Sequence, residues 1–384
     1  RSRRRPRPRQ RAGALSGPLL LGVALLLGAC SEPPATATGG IDVAGALGGD
    51  VDPGFARALA PRPFRFPDDH NAHPAFRNEW WYVTGHLQAG SGARFAYQVT
   101  FFRIALSPEP PLLDSAWATN QLWMAHVALT DLETGEHRHG ERFARAALGL
   151  AGQRRADFAL WLEDWRIDGG PGGALPWTVQ VATDDFALEL DLEALREPLL
   201  QGDAGLSQKG SEPGNASYYY SITRLATAGR LRSGGREFAV RGLSWLDREW
   251  STSALEEGLA GWDWFSLQLD GGADLMLYRL RRDDGSADRH SAGIVVGAGG
   301  SARRFAADEF SLHPSRHWTA PTGARYPVAW SLRVPAAGLE LRVEALLDDQ
   351  WMNTAVSYWE GAVRVADPRS GERLGQGFLE MTGY

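Results

Sequence analysis

Residues 78–87 read NEWWYVTGHL, and the parity of this stretch sets the fold. In an extended chain successive side chains point to opposite sides. Trp81, Val83, Gly85 and Leu87 then share one face, and Trp80, Tyr82, Thr84 and His86 share the other. A turn, QAGSG (88–92), leads into ARFAYQVTFFRI (93–104), where Phe95, Tyr97, Val99 and Phe101 align. The same period of two runs through LWMAHVALTDLETGE (122–136), FALWLEDWRIDG (158–169), LPWTVQVATDD (175–185), FALELDLEAL (186–195) and REFAVRGLSWLD (236–247). Turn residues punctuate these runs at the spacing of an antiparallel sandwich or barrel. The 15 tryptophans and 45 glycines suit short strands, tight turns and aromatic-lined interiors.

The second half restarts the first. WYVTGHLQAGSGARFAYQVTFFR (81–103) and WFSLQLDGGADLMLYRLRRDDG (264–285) each run from paired aromatics through an alternating strand and a glycine turn to a strand containing tyrosine and ending in arginine. This predicts an all-β chain with two similar antiparallel β domains, 61–240 and 241–384.

The N-terminal residues read differently. Arginines crowd positions 1–11, an apolar run ALSGPLLLGVALLLGA (14–29) follows, and it ends at Cys30, the chain's single cysteine. That is the layout of a signal peptide rather than a membrane span, for which the run is short. Leu27-Gly28-Ala29-Cys30 resembles a bacterial lipobox, which implies lipidation at Cys30 and a periplasmic, lipid-anchored protein of the cell envelope. Ser31 after the cysteine points to the outer membrane rather than the inner. Residues 31–60, rich in Ala, Gly, Pro and Thr, read as a tether. With Cys30 as the anchor, no disulfide is available to the folded body. A formal net charge of −6 argues against a general electrostatic grip on nucleic acid.

Three segments carry a family resemblance: FPDDHNAHPAFRNEWWYVTGHL (66–87), GLSWLDREWS (242–251) and GWDWFSLQLDGGADLMLYRLR (261–281). Over residues 61–384 the chain resembles a bacterial family of tandem lipocalin-like (calycin-type) β-barrels. That family groups carotenoid 1,2-hydratase (hydroxyneurosporene synthase) with the AttH-type secreted component associated with ABC export systems. The resemblance implies two consecutive barrels. The hydratase branch has an Asp-His-Asn-Trp segment where this chain has Asp247-Arg248-Glu249-Trp250, and an acid where Leu280 stands. Arginine cannot titrate as histidine does, and leucine carries no proton to give. The resemblance is therefore closer to the AttH-type branch. It implies binding or transfer of a hydrophobic small molecule or lipid, in partnership with ABC transporter components. The alternative is a hydro-lyase of the carotenoid hydratase type; a third possibility is a non-catalytic envelope protein with filled barrels.

The candidate residues follow from these three readings. Trp80, Tyr82, His86, Trp250, Trp262 and Trp264 are expected to line a barrel interior as ligand contacts, or to plug it as core. Asp247 and Glu249, among tryptophans, form either an ion-pair network at the domain junction or a general acid whose pKa an apolar setting raises. Tyr278 is the third catalytic candidate. Asp68, Asp69, His70 and His73 look like metal ligands, but no further His/Cys pair completes the set, so the expectation is a capping loop and no metal. The run Tyr218-Tyr219-Tyr220 reads as barrel wall. No cofactor motif is present: the sequence has neither a glycine-rich phosphate loop nor a Gly-x-Ser-x-Gly elbow.

Overall fold

The structure, a computed structural model, describes residues 53–252 and 255–384. Cys30, the expected signal peptide and most of the expected tether lie outside the described residues.

Among the described residues there is no α-helix, and the strands form two antiparallel sheets. The first has thirteen strands and closes into a nearly complete barrel; the second has ten and forms a half-barrel. In the first, the strand Asn78–Ala89 lies between Arg94–Ala105 and Arg236–Ser251. In the second, Leu259–Leu269 lies between Asp274–Arg282 and Arg373–Met381. Each sheet therefore pairs its opening strand with both its second and its last strand. The two hairpins that repeat in sequence occupy the same topological place.

The division between the sheets does not fall near residue 240. The strand Arg236–Ser251 belongs wholly to the first barrel, paired along Asn78–Ala89 and Ala216–Ser233. The change of sheet comes between Ser251 and Leu259. At 16 residues that strand is longer than a typical strand, so a boundary placed at its start cuts off the barrel's last staple.

Parity then assigns the faces. Trp81, Val83 and Leu87 turn into the first barrel with Tyr97, Val99 and Phe101. Phe101 stands opposite Trp81, and Val99 opposite Val83. Trp123, Trp165, Trp177 and Trp250 are buried in the same cluster, so tryptophan fills this barrel. Gly85 lies opposite Tyr97, and a Cβ there would sit 2.7 Å from the Tyr97 ring. A side chain at 85 would displace that ring.

The loop before the first strand caps one end of the barrel, and its four metal-like residues do not gather round one point, although His73 Nε2 meets Asp69 Oδ1 at 3.1 Å. Asp69 accepts from the Arg65 amide at 2.6 Å and from Arg62. His70 meets the Tyr220 hydroxyl at 2.5 Å. His73 stacks flat on Trp250, ring centres 3.7 Å apart. Asp68 reaches out to Arg155 at 2.7 Å. No three potential ligands converge as a metal site among the described residues.

Candidate functional site

The opposite face of the opening strand is not exposed. Tyr82, Tyr219 and Trp245 of the first sheet pack with Trp264, Met276, Tyr278 and Phe378 of the second in a cluster separate from both barrel cores. The two sheets meet here through their outer faces, and between them lies a cavity of about 360 Å³. Its walls are mostly apolar: Trp80, Phe102, Ile104, Met124, Trp262, Trp264 and Leu280. That is the size and character of a small-molecule site. The expected barrel-interior pocket is thus replaced by an inter-sheet one. In the first barrel the inward-facing positions carry tryptophan, and this cavity lies on the outer faces instead.

The polar groups of the cavity come from strand neighbours. Asp247 lies opposite Ser221, and Glu249 opposite Tyr219. Asp247 accepts hydrogen bonds from the Tyr219 hydroxyl at 2.6 Å, the Trp245 indole N–H at 2.7 Å and the Ser221 hydroxyl. It forms no ion pair among the described residues. Burial pushes its pKa up to about 7, with the Glu249 charge adding and the three donated hydrogen bonds opposing. Tyr219 in turn accepts from the Trp264 indole N–H at 3.2 Å. Asp247 therefore holds a proton for part of the time at neutral pH, beside an apolar space.

Removing one of its donors shifts this balance predictably. Tyr219→Phe takes away a hydrogen bond that favours the carboxylate. The Asp247 pKa is expected to rise by about one to two units, since such a bond contributes roughly 1.5–3 kcal/mol. The pH dependence of the infrared carboxylic C=O band of Asp247 measures it.

Glu249 is the paired acid, with the Lys209 ammonium 3.5 Å away. Burial pulls Lys209 down, but Glu249 and Tyr278 more than offset this and its pKa is raised. On the second sheet Glu380 faces the cavity and accepts from Trp262 Nε1 at 2.5 Å. Behind it, across the strand pair, stands Glu360, which accepts from the Tyr82 hydroxyl at 2.7 Å. Burial and then the Glu380 charge push Glu360 well above the carboxylate range, and burial raises Glu380 also. Standing opposite each other across the strand pair, these two buried carboxyls titrate as a coupled pair. His126 meets the Tyr358 hydroxyl at 2.9 Å and Glu141 at 3.1 Å on a further wall.

Of the candidates, Trp80, Tyr82, Trp262, Trp264, Tyr278, Asp247 and Glu249 all line the cavity. His86 and Trp250 do not. His86 donates from Nε2 to the Gly377 carbonyl at 2.9 Å, tying the two sheets together. Trp250 has the opposite parity to Asp247 and Glu249, so it turns into the barrel with Arg248. Those two contact Glu79 and His73 at the capped end. The Asp-Arg-Glu run is thus not one ionic network: its acids face the cavity and its arginine faces the barrel. Tyr219, Lys209, His126 and Glu380 were not anticipated. For Tyr219 the signal was parity, because the middle of three tyrosines must face away from Tyr218 and Tyr220.

The model of the AttH-like family matches residues 57–384. The chain belongs to the AttH-like family. A crystal structure described as an AttH candidate from Nitrosomonas europaea is 36% identical, with a TM-score of 0.77 over 86% of this chain and all of the other. Kievitone hydratase from Nectria haematococca aligns at a TM-score of 0.65 and 15% identity over 86% of this chain and 95% of its own. CghA aligns at 0.50 and 14% over 86% and 96%. These last two share the fold. Among curated proteins none matches the chain. The AttH-like body is therefore a lipocalin-like tandem whose cavity is built by both halves.

Proposed function

We propose that this AttH-like protein binds an unsaturated hydrophobic small molecule between its two sheets and adds water to, or removes it from, a carbon–carbon double bond. The observation that carries this is Asp247, a buried carboxyl without a cation partner, set in a wall of aromatic rings. In the hydration direction, protonated Asp247 gives its proton to one alkene carbon. The positive charge left on the other carbon meets the faces of Trp80, Trp262 and Trp264. Water adds there and releases a proton to a cavity carboxylate, so that one molecule of water is added in all. A fold relative named as a hydratase is consistent with this chemistry; at 15% identity that likeness speaks to the fold, and the assignment rests on Asp247.

The carrier reading rests on a different observation, the lipobox-like Leu27-Gly28-Ala29-Cys30. On that reading a lipid-anchored periplasmic protein passes a hydrophobe to an ABC-type export system. It uses the same cavity and needs no proton donor. Mass spectrometry of the hydrophobes extracted from the purified protein tests both. A near-stoichiometric ligand bearing an alkene, or a hydroxyl with a hydrogen on the neighbouring carbon, is expected. A protein that is empty under gentle extraction and takes up no hydrophobe would sink both readings. A saturated ligand without such a hydroxyl would leave only the carrier.

A further inference from the structure

Of the 40 basic residues counted as Lys plus Arg, Lys209 is the single lysine. It also stands in the cavity wall. Elsewhere this chain places its positive charge on guanidinium groups; here it has a compact ammonium with three donors. The side chain leaves the end of the short strand Leu206–Gln208, held by a backbone hydrogen bond from its own amide to the Asn215 carbonyl at 2.9 Å. The ammonium lies 4.2 Å from the centre of the Tyr278 ring and 3.5 Å from a Glu249 oxygen. The Tyr219 ring centre lies 5.4 Å away; the ammonium has no other ion-pair or hydrogen-bond partner among the described residues, and its side chain is 19% exposed. With one N–H taken by Glu249 and one turned to the Tyr278 face, a third is left for an acceptor that the protein does not supply.

Resting on the ligand site proposed above, we infer that Lys209 anchors a terminal oxygen, hydroxyl or carbonyl, of an uncharged amphiphilic ligand. The charges of the cavity set the limit to uncharged groups. Lys209 is the one Lys or Arg among its lining residues, whereas Glu249, Asp247 and Glu380 all face it. Glu249 already neutralises the ammonium. A ligand carboxylate would add a negative charge among acids, and a plain hydrocarbon would leave the ammonium donors unmet. A hydroxyl or carbonyl accepts one of them at no charge cost, in an environment where a hydrogen bond to a charged group is strong. The anchor places the ligand's polar end at Lys209 and its apolar body along the tryptophans, which fixes the double bond presented to Asp247.

Three C15 isoprenoids with closely similar bodies test this: β-farnesene (no oxygen), farnesol and farnesoic acid. Each is titrated against N-phenyl-1-naphthylamine held by the protein at pH 7.5. Farnesol is expected to displace the reporter about tenfold more strongly than either of the others, the range of one hydrogen bond to a charged group. In Lys209→Met/Glu249→Gln, which removes the pair without leaving a lone charge, farnesol should fall to the level of farnesene. Farnesene displacement should be at least as strong as in the wild type, because the ammonium donors it left unmet are gone, and this shows that the cavity is intact. An unchanged farnesol advantage in the variant would overturn the anchor while the cavity stands. Farnesoic acid binding tightest, and losing that in Lys209→Met, would overturn the restriction to uncharged ligands. If neither the reporter nor any of the three binds the wild type, the cavity reading falls and the anchor with it.

Discussion

Asp247→Asn is expected to lower proton transfer to the bound ligand by roughly 10²–10⁴-fold, the usual contribution of a positioned general acid, while the protein remains folded. The reason lies in what surrounds the carboxyl. Three neutral donors, Tyr219, Trp245 and Ser221, hold it in place, and asparagine keeps a carbonyl oxygen for two of them. What asparagine cannot do is carry and release the proton. The stability effect has the opposite sign. The pKa of Asp247 is raised from the ordinary carboxyl value to about 7, so the native state binds this proton more tightly than the unfolded chain. Stability from this group falls as pH rises from the unfolded value through about 7. Asparagine removes that dependence. At pH 8 the variant should therefore resist urea at least as well as the wild type, although it is inactive. A folded variant with wild-type turnover would exclude Asp247 as the acid. A variant that failed to fold would show that the carboxyl is structural.

The second large effect is on the fold itself. Glu79 in NEWW is fully buried and takes contacts from both the Arg103 and Arg248 guanidinium groups, and its carboxylate also accepts from the His73 amide at 3.0 Å. Burial alone would raise its pKa, but the two guanidiniums and His73 hold it well below the usual carboxylate range. Arg248 sits 3.7 Å over the Trp81 ring at the same time. Glu79→Gln leaves two buried arginines facing each other with no counter-charge. Breaking a buried pair in this way costs about 3–5 kcal/mol. The native pKa is depressed, so Glu79's contribution is fully present above its unfolded value and is lost as pH falls through the native one. The stability gap between wild type and Glu79→Gln should be large at neutral pH and should narrow progressively as pH falls below the ordinary carboxyl value toward the native one. Urea unfolding at several pH values reads both the size and the shape of that difference.

Much of this arrangement was legible in the chain. The alternation in NEWWYVTGHL separates Trp81 from Trp80 and Tyr82, and the repeated hairpin marks the second sheet. Aromatics on both faces of one strand are themselves the signature of burial on both faces. What the alternation could not supply is the partner of the outer face. Pairing Tyr82 with Glu360, or Tyr219 with Trp264, requires strands more than 40 residues apart to meet, and no local pattern encodes that. Parity alone would have excluded Trp250, because it lies one residue beyond Glu249. Composition alone would have marked Lys209. Glu360 and Glu380 were invisible, since an acid in an alternating strand ordinarily faces water and these two face another sheet.

The central claim is that the cavity performs proton chemistry on what it binds. The direct measurement is to incubate the purified protein with its own extracted ligand in D₂¹⁸O and to weigh the ligand afterwards. Water addition and its reverse pass through the same steps, so the account predicts one deuterium on carbon and one ¹⁸O in the recovered product, both absent with Asp247→Asn. A ligand that is demonstrably bound, yet returns from the wild-type protein with neither label, would contradict it.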